Sequence, residues 1–483
     1  MAVRRSVLSA LLGFFFAFAA QAERPRLNSD PVFNRDYRFL ADPAQRTDFF
    51  DPLKYIPLDN SDLPTEQGEA RSGGERSVGG VPPSKRYLSF GGEIRQRYES
   101  QFNPNFGLGE VQKEDYLLSR TLLHADFHLN QNFRSFAQLG HHDVYGKDAG
   151  ATQRERSSFD LQQAFAETFL PYYDPKHKFS LRAGRQETLF GNQRFLSLSD
   201  RGNIRRSFDA VRAKLYWGEY KFTAFAGRPV LINPNGFDDS ADPRQFLSGF
   251  YAFMPGFDKG HFDAYYFRFN RDNARFAQAT GNEERDTIGI RLEDREAPFD
   301  YNNELIYQFG SFDRSDINAW IAVSDSGYTL QKTPLLPRIG LRASIASGDS
   351  DLNDNTLETF NPILPSGRFF AQNGLIGPTN FFNFQPNLSI TPRDNVTLST
   401  GFDFFWRTDT ADAIYRHPNT PISGTAGNPE RFTGSQFSLL GNWQVTPHVE
   451  ASATYVHFFA GEALQQARAG DTDYIATWVN FRF

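Results

Sequence analysis

The sequence contains no cysteine among its 483 residues and only two methionines. The lack of cysteine excludes a disulfide scaffold, a thiolate zinc site and thiol catalysis. The 51 basic residues nearly balance the 57 acidic ones, so the chain has no nucleic-acid footprint. After residue 22 there is no run of about 18 apolar residues, which argues against a membrane-spanning helix. The length then leaves several soluble domains or one large barrel.

The first 22 residues have the pattern of a secretory signal peptide. Arg4 and Arg5 form a charged start, residues 7–19 are apolar, and residues 20–22 form an A-x-A cleavage site. We expect cleavage before Glu23 and export from the cytoplasm. The alternative interpretation is a buried core helix.

Residues 23–86 differ in composition from the rest of the chain. Residues 65–85 (TEQGEARSGGERSVGGVPPSK) form a low-complexity stretch typical of a flexible linker. Residues 37–58 contain enough aromatic side chains to dock on another surface. We therefore predict an N-terminal periplasmic or plug-like extension over residues 23–86, followed by a second unit over residues 87–483.

From residue 87 onwards, apolar and polar side chains alternate in segments separated by turn residues. Such a two-residue period indicates β-strands with two unlike faces. Short connections alternate with long ones, except around the eleventh to thirteenth strands, which is the layout of an outer-membrane barrel. The eighteen predicted strands begin near residues 87, 115, 133, 159, 178, 207, 220, 247, 260, 284, 300, 316, 337, 379, 395, 431, 448 and 471.

A soluble β-sandwich is the alternative fold. Strands of about ten residues or more match a tilted crossing of the bilayer, whereas soluble strands cluster near five or six residues. The chain also ends in Phe483, on the same face as Ile475, Val479 and Phe481, which resembles the assembly signal of Gram-negative outer-membrane proteins. We therefore predict an all-β fold, a single antiparallel barrel in the Gram-negative outer membrane. Its partners would include membrane lipids and the barrel-assembly machinery.

The polar faces of the predicted strands are rich in arginine. Guanidinium groups bind sugar carboxylates with two hydrogen bonds, and charge in a narrow low-dielectric tube concentrates anions. The alternative is a ladder in which Glu93, Glu99, Asp126, Glu167, Asp209, Glu304 and Asp403 neutralise the arginines. The predicted lumen-lining residues are Arg95, Arg97, Arg120, Arg182, Arg185, Arg205, Arg206, Arg212, Lys214, Arg291, Arg342, Asp403, Arg407 and Arg482. Three of them, Arg185, Arg205 and Arg206, lie in or beside a long loop. There they would form either a constriction of the lumen or a basic patch on the outside.

Several short motifs resemble the alginate-export outer-membrane family. The motifs are residues 181–186 (LRAGRQ), 203–212 (NIRRSFDAVR), 374–378 (GLIGP), 403–407 (DFFWR) and 457–461 (HFFAG). Residues 38–58 look like the segment that precedes the first strand in many members. The resemblance implies an eighteen-stranded barrel that exports an acidic polysaccharide through an arginine-lined lumen. It also implies periplasmic export proteins as partners.

Other chemistry has weaker support in the sequence. His124, Asp126 and His128 share one strand face, but residues four apart in a strand lie about 13 Å apart, too far to share a metal ion. The acidic stretches 238–242 and 349–355 could bind calcium, although neither has an EF-hand pattern. No catalytic motif is present. We therefore predict a channel without cofactors, with a general mixed-charge porin as the alternative and a lipid-modifying enzyme as the least favoured interpretation.

Overall fold

The computed structural model describes residues 37–41, 43–58, 86–171, 177–256, 260–296 and 298–483. The predicted signal peptide and the predicted linker over residues 65–85 lie outside the described residues. No helix within the described ranges is long and apolar enough to cross a membrane.

Eighteen long antiparallel strands form a closed barrel. Each strand pairs with the next one along the chain, and the last strand pairs with the first, from Phe102 opposite Asp473 to Glu93 opposite Arg482. The predicted strand count and barrel are therefore confirmed. The strands are β1 (Tyr87–Phe102), β2 (Lys113–Asn130), β3 (Phe133–Tyr145), β4 (Ser157–Pro171), β5 (His177–Gln186), β6 (Phe208–Trp217), β7 (Tyr220–Leu231), β8 (Gln245–Pro255), β9 (His261–Arg275), β10 (Thr280–Asp294), β11 (Phe299–Phe312), β12 (Ser315–Thr329), β13 (Arg338–Ala346), β14 (Phe381–Arg393), β15 (Val396–Trp406), β16 (Phe432–Gln444), β17 (Val449–Ala460) and β18 (Thr472–Arg482).

Alternation along each strand separates a lumen face from a membrane face. In β1, Arg97 is 2% exposed whereas the next residue, Tyr98, is 41% exposed. In β18, Trp478 and Asn480 are buried whereas Ile475 and Val479 are exposed. Every backbone polar group within the bilayer needs a partner, which a closed sheet supplies without an edge. The outward side chains can then be apolar and the lumen polar.

The two ends of the barrel differ in the length of their connections. Residues 131–132, 218–219 and 394–395 are short turns at the end where β1 begins, which corresponds to the periplasmic side. The opposite end carries long loops at residues 187–207, 347–380 and 407–431. The connections 276–279 and 313–314 are short although they lie at the long-loop end. Only the second of them, between β11 and β12, lies where the sequence pattern is irregular.

Small elements accompany the barrel. Before β1 the chain forms two 3₁₀ turns, a single helical turn and a two-residue strand that pairs with the start of β1. Their bounds are Arg38–Ala41, Pro43–Gln45, Asp51–Lys54 and Ile56–Pro57. The loops contain a 3₁₀ turn (Pro104–Gly107), a helical turn (Glu462–Gln465) and the two-residue strands Ser240–Ala241, Thr356–Leu357, Tyr415–Arg416 and Thr420–Pro421.

The largest apolar core lies inside the barrel. Phe267 and Phe269 of β9 belong to the same buried cluster as Phe195 and Leu196 of one long loop and Phe360 of another. Burying these side chains favours loops that fold into the lumen over loops that extend into solvent. The long loops 187–207 and 347–380 therefore form part of the channel.

Candidate functional site

The loop 187–207 crosses the lumen. Arg120 of β2 donates hydrogen bonds to its carbonyl groups at Asn203 (2.7 Å) and Gly202 (2.7 Å). Farther back in the loop, Arg194 donates to the side chain of Asn302 in β11 (2.7 Å). Strands β2 and β11 are nine positions apart in a ring of eighteen and so face each other. The loop therefore connects opposite walls and narrows the passage.

The β1–β2 wall holds this loop by several arginine contacts. The Arg120 guanidinium is fully buried and also bonds to Glu93 (2.9 Å) and to the carboxylate of Asp200 (2.8 Å). Arg95 donates to the carbonyl groups of Asp200 (2.6 Å) and Gly202 (2.7 Å). Arg205 of the loop forms an ion pair with Glu93 of β1 at 2.7 Å. Charge-assisted bonds of this kind are among the stronger ones in proteins, so the attachment is firm.

The loop 347–380 packs against the first loop. Leu196 and Leu364 form a parallel bridge between the two loops. Arg206 lies under this bridge and donates to the carbonyl groups of Ser197 (2.6 Å) and Leu364 (2.8 Å). Arg201 likewise bonds to the carbonyl group of Asn373 (2.9 Å). The two loops therefore form one constriction.

Most of the predicted arginines on β1–β6 are paired within the wall. Arg97 bonds to Glu99 (2.6 Å), and Arg182 bonds to Glu167 (2.7 Å). Arg212 lies beside Arg182 in the adjacent strand and donates to the hydroxyl group of Thr188 (3.2 Å). All of these guanidinium groups are buried. This side of the barrel therefore has the geometry of the ladder alternative.

An open cavity of about 590 Å³ remains on the other side of the lumen. Five arginines and four acidic residues line it, together with amide and hydroxyl side chains. The charged residues are Arg194, Arg295, Arg338, Arg342, Arg368, Glu293, Asp294, Asp300 and Asp325. Polar groups such as Gln385, Asn387, Ser399, Thr400, Ser438 and Thr454 complete the lining. The surface offers both charges and hydrogen-bonding groups to a solute.

The cavity arginines are less buried than those of the β1–β6 wall. Arg342 bonds to Asp325 (3.0 Å) and to the carbonyl group of Phe369 (2.9 Å), and Arg338 bonds to Asp300 (2.8 Å). Arg368 is exposed in the cavity, and no acidic residue within the described part of the chain lies within ion-pair distance of it. Its side chain is therefore open to the cavity, and its positive charge also acts on Asp200.

The remaining predicted residues take structural positions. Arg291 is buried between Asp263 (2.8 Å) and Glu293 (2.7 Å). Asp403 accepts hydrogen bonds from Asn383 (2.8 Å) and Gln385 (2.6 Å). Lys214 lies half-buried on the lumen face of β6.

Two further predicted residues stabilise the loop 407–431 and the contact between β18 and β1 that closes the barrel. Arg407 donates to loop carbonyl groups, including those of Thr425 (2.5 Å) and Asp412 (3.1 Å), so it orders its own loop. Arg482 bonds to Glu93 (3.1 Å) where β18 closes on β1.

Arg185 requires a correction. Arg185 lies three residues after Arg182, on the opposite face of β5, where it bonds to Asp209 (2.8 Å). Three residues of separation in a strand place two side chains on different faces. Arg185 therefore does not line the lumen with Arg182.

Sequence reasoning did not assign Arg134, Arg338 and Arg368 to the lumen. Arg134 sits between Asp126 (3.0 Å) and Glu167 (2.7 Å). Arg338 shares the polar face of its strand with Arg342, four residues later, as the alternation predicts, although it is not among the predicted lumen-lining residues. Arg368 lies in an irregular loop without periodicity, so no local signal identifies it.

One acidic cluster lies at the long-loop rim of the barrel. Carboxylate oxygens of Asp160, Asp238 and Asp239 lie within 4.8 Å of one another. Burial is the main reason that the pKa of Asp239 is raised to about 6. Arg185 donates to the carbonyl group of Asp239 (3.1 Å) and supplies positive charge there. The protein thus partly neutralises the cluster, and calcium at this loop stays the alternative to the predicted absence of cofactors.

Comparison with known proteins gives a family and a fold. The sequence model of the alginate export family matches residues 86–477. No curated protein matches the sequence.

Solved porins share the fold. A BenF-like porin from Pseudomonas fluorescens Pf-5 superposes with a TM-score of 0.55 at 9% identity, covering 82% of this chain and 98% of that one. OccAB1 of Acinetobacter baumannii gives 0.54 at 10% identity, with 82% and 96% covered. OccK5 (OpdH) of Pseudomonas aeruginosa gives 0.52 at 12% identity, with 82% and 98% covered. Identities this low establish the architecture alone.

Proposed function

The chain belongs to the alginate export family, and from this premise we propose that its outer-membrane channel carries an anionic polysaccharide or another anionic solute. Movement is passive and follows a gradient, with periplasmic export proteins as proposed partners. The barrel-assembly machinery is proposed to recognise the chain through Phe483. The solute passes the constriction formed by the loops 187–207 and 347–380.

The observation that carries this proposal is the charge of the lumen-crossing segments. Residues 187–207 contain four arginines and two acidic residues. The second loop contacts them through residues 364–373. Its part from residue 359 to 380 contains Arg368 and no acidic residue, whereas its four acidic residues, Asp349, Asp351, Asp354 and Glu358, all precede that part. These segments therefore carry three more positive than negative charges, whereas the adjoining wall is largely paired. In a narrow space with low-dielectric surroundings, such an excess attracts anions and repels cations.

The cavity next to the constriction suits an acidic sugar. Arg368 can donate paired hydrogen bonds to a carboxylate. The amide and hydroxyl side chains of β14–β17 can exchange hydrogen bonds with sugar hydroxyl groups. A chain of uronic acids presents both kinds of group at every residue, so it matches this lining better than a simple inorganic anion does.

Planar-bilayer recordings test the proposal. Under a salt gradient, the reversal potential should report anion preference. An acidic oligosaccharide of uronic acids added to one side should block the ion current at lower concentration than a neutral oligosaccharide of equal length. Cation preference together with equal block by the two sugars would contradict the proposal.

A general small-solute porin is the second candidate. The acidic residues Glu293, Asp300 and Asp325 in the same cavity favour it, because they offset much of the positive charge there. Liposome-swelling rates distinguish the two candidates. A general porin admits neutral and acidic sugars of equal size at similar rates, whereas the proposed channel favours the acidic sugar.

We also propose that the N-terminal extension, residues 23–86, narrows the periplasmic mouth. Its Lys54 is buried and lies close to the lumen-side residues Gly91 and His124. Deleting residues 23–84 should raise the single-channel conductance. An unchanged conductance would contradict a plugging role.

A further inference from the structure

Residues 47–58 lie across the seam where β1 and β18 close the barrel. The Phe50 ring lies 5.3 Å from the ring of Phe483 and 5.9 Å from that of Phe481. Asp48 pairs with His448, in the turn before β17, at 2.8 Å. These contacts attach the segment to the C-terminal side of the seam.

The same segment also binds the first strand. Residues 56 and 57 pair with residues 88 and 87 of β1 in antiparallel register. The Lys54 ammonium group donates to the carbonyl group of Phe90 (3.1 Å). Tyr55 packs against Tyr87 with 4.9 Å between ring centroids. Residues 47–58 therefore contact both strands of the seam.

Two glycines of β1 provide the space for this arrangement. A Cβ atom at position 91 would lie 2.4 Å from the Lys54 nitrogen, and one at position 92 would lie 2.8 Å from the Phe483 ring. Neither separation is compatible with ordinary van der Waals contact. The first strand is thus shaped for the approach of residue 54 on one face and of the C-terminal ring on the other.

The outer side of the seam is a membrane surface. Ile475 and Val479 are exposed on the lipid face of β18, and the same alternation places Phe481 and Phe483 on that face at its periplasmic end. Phe50 extends this apolar row beyond the last strand. The row therefore continues from the barrel wall onto the N-terminal segment.

The side chains next to Phe50 are apolar and exposed. Phe49 is 87% exposed, and Leu53, four residues later across one helical turn, is also exposed. The polar neighbours Asp48 and Lys54 instead bond to the barrel. An amphipathic turn of this kind at a membrane boundary buries its apolar side among lipid headgroups and acyl chains.

We propose that Phe49 and Leu53 insert into the periplasmic leaflet of the outer membrane, where they contact phospholipid. Residues 47–58 are then an interfacial anchor that holds the closing seam at the membrane surface. Lipid is the occupant because the apolar row is continuous with the lipid-facing side of β18. Burial of the Phe49 ring among acyl chains removes its apolar area from water, which is favourable.

Site-directed spin labelling tests this proposal, and the absence of cysteine from the chain permits single labels. Phe49→Cys and Leu53→Cys would each carry a nitroxide in vesicles of phosphatidylethanolamine and phosphatidylglycerol. Phe39→Cys is the matched control. Phe39 is also exposed, at 52%, but it lies beside Leu40, which packs with Tyr55 and Tyr87.

The expected result is a several-fold higher ratio of oxygen to nickel-complex accessibility at positions 49 and 53 than at position 39. Equal ratios at the three positions would overturn the proposal. Shielding of position 49 from both reagents would also overturn it, because that result indicates a protein surface. Heat-modifiable gel migration confirms that each labelled barrel is folded, and Phe49→Ser separately should release residues 47–58 to faster hydrogen exchange without unfolding the barrel.

Discussion

The arginines of the β1–β6 wall and those of the β10–β15 side face the same lumen in different surroundings. On β1–β6, Arg95, Arg97 and Arg120 are at most 2% exposed and bond to carboxylates or to loop carbonyl groups. On the cavity side, Arg342 keeps about a quarter of its side chain exposed, and Arg368 is exposed. One residue type therefore fastens the constriction on one side and lines open space on the other.

The difference follows from what lies within reach of each guanidinium group. A buried arginine needs partners for its five donors, and the loop 187–207 supplies backbone carbonyl groups to β1 and β2. On the cavity side, the loop 347–380 supplies one carbonyl group, that of Phe369, to Arg342, and the Arg368 side chain stays exposed to a solute. Selectivity is therefore expected from the cavity side and stability from the β1–β2 side.

The largest effect should come from Arg120→Ala. The substitution removes bonds to the carboxylates of Glu93 and Asp200 and to three loop carbonyl groups from a fully buried site. Breaking such a buried pair costs about 3–5 kcal/mol. We expect a lower unfolding temperature in heat-modifiability gels and a higher conductance, because the loop loses its attachment. Arg314→Ala, in the exposed turn between β11 and β12, is the control. If Arg120→Ala has the same unfolding temperature and conductance as this control, the two sides of the barrel do not differ in the way described.

The second effect concerns charge in the cavity. Arg368→Glu should lower the anion-to-cation permeability ratio several-fold and leave the unfolding temperature unchanged, because no ion pair of the described residues is lost. Reversal potentials measure the ratio. Arg314→Glu makes the same charge change outside the lumen and should leave it unaltered. A selectivity loss of equal size in both variants would show that Arg368 has no special position.

A smaller effect is expected at the contact between the two loops. Arg206→Gln removes the bonds to Ser197 and Leu364 while the apolar cluster beneath them remains. Open-channel current noise should rise, with little change in mean conductance. Arg206→Lys keeps the charge and can keep one carbonyl bond, so its current noise should lie between that of the unmodified channel and that of Arg206→Gln. Noise that is the same in all three proteins would contradict a joint role of the loops.

The smallest effect should depend on pH. Burial, and then the neighbouring Asp412, raise the pKa of Asp349 to about 7. An unperturbed aspartate titrates near pH 4, so the folded loop favours the protonated form, and its extra stability is lost as the pH rises through about 7. Hydrogen-exchange protection factors, which are corrected for the intrinsic rise of the exchange rate with pH, should therefore fall in residues 347–380 between about pH 4 and 7. Asp349→Asn should abolish that fall, whereas a fall that persists in the variant would assign it to another group.

The strand pattern could be predicted because it is local. The expected starts of β1, β3 and β7 coincide with the structure, and that of β10 differs by four residues. Each strand carries its own two-residue alternation, which requires no knowledge of its neighbours. The lumen placement of Arg95, Arg97 and Arg120 follows from the same rule.

The environment of those arginines could not be predicted. Arg120 meets Asp200 across 80 residues of sequence, and Arg206 meets Leu364 across 158. Alternation states which face a side chain occupies but not which loop covers it. For this reason the sequence left two alternatives open, arginines that attract anions and a ladder of arginines paired with acidic residues. Arg185 shows a related limit, because it lies near a strand end where a loop and a strand face cannot be distinguished by pattern.

An eighteen-stranded closed wall with an apolar exterior and a polar interior follows from the amino-acid pattern, because that information repeats every two residues. The entry of the loops 187–207 and 347–380 into the lumen, the attachment of the first loop to β1 and β2, and the openness of Arg368 to the cavity become visible in the folded barrel. Those features depend on contacts between residues far apart in the chain, and the apolar burial that fixes them exists only after the barrel has closed.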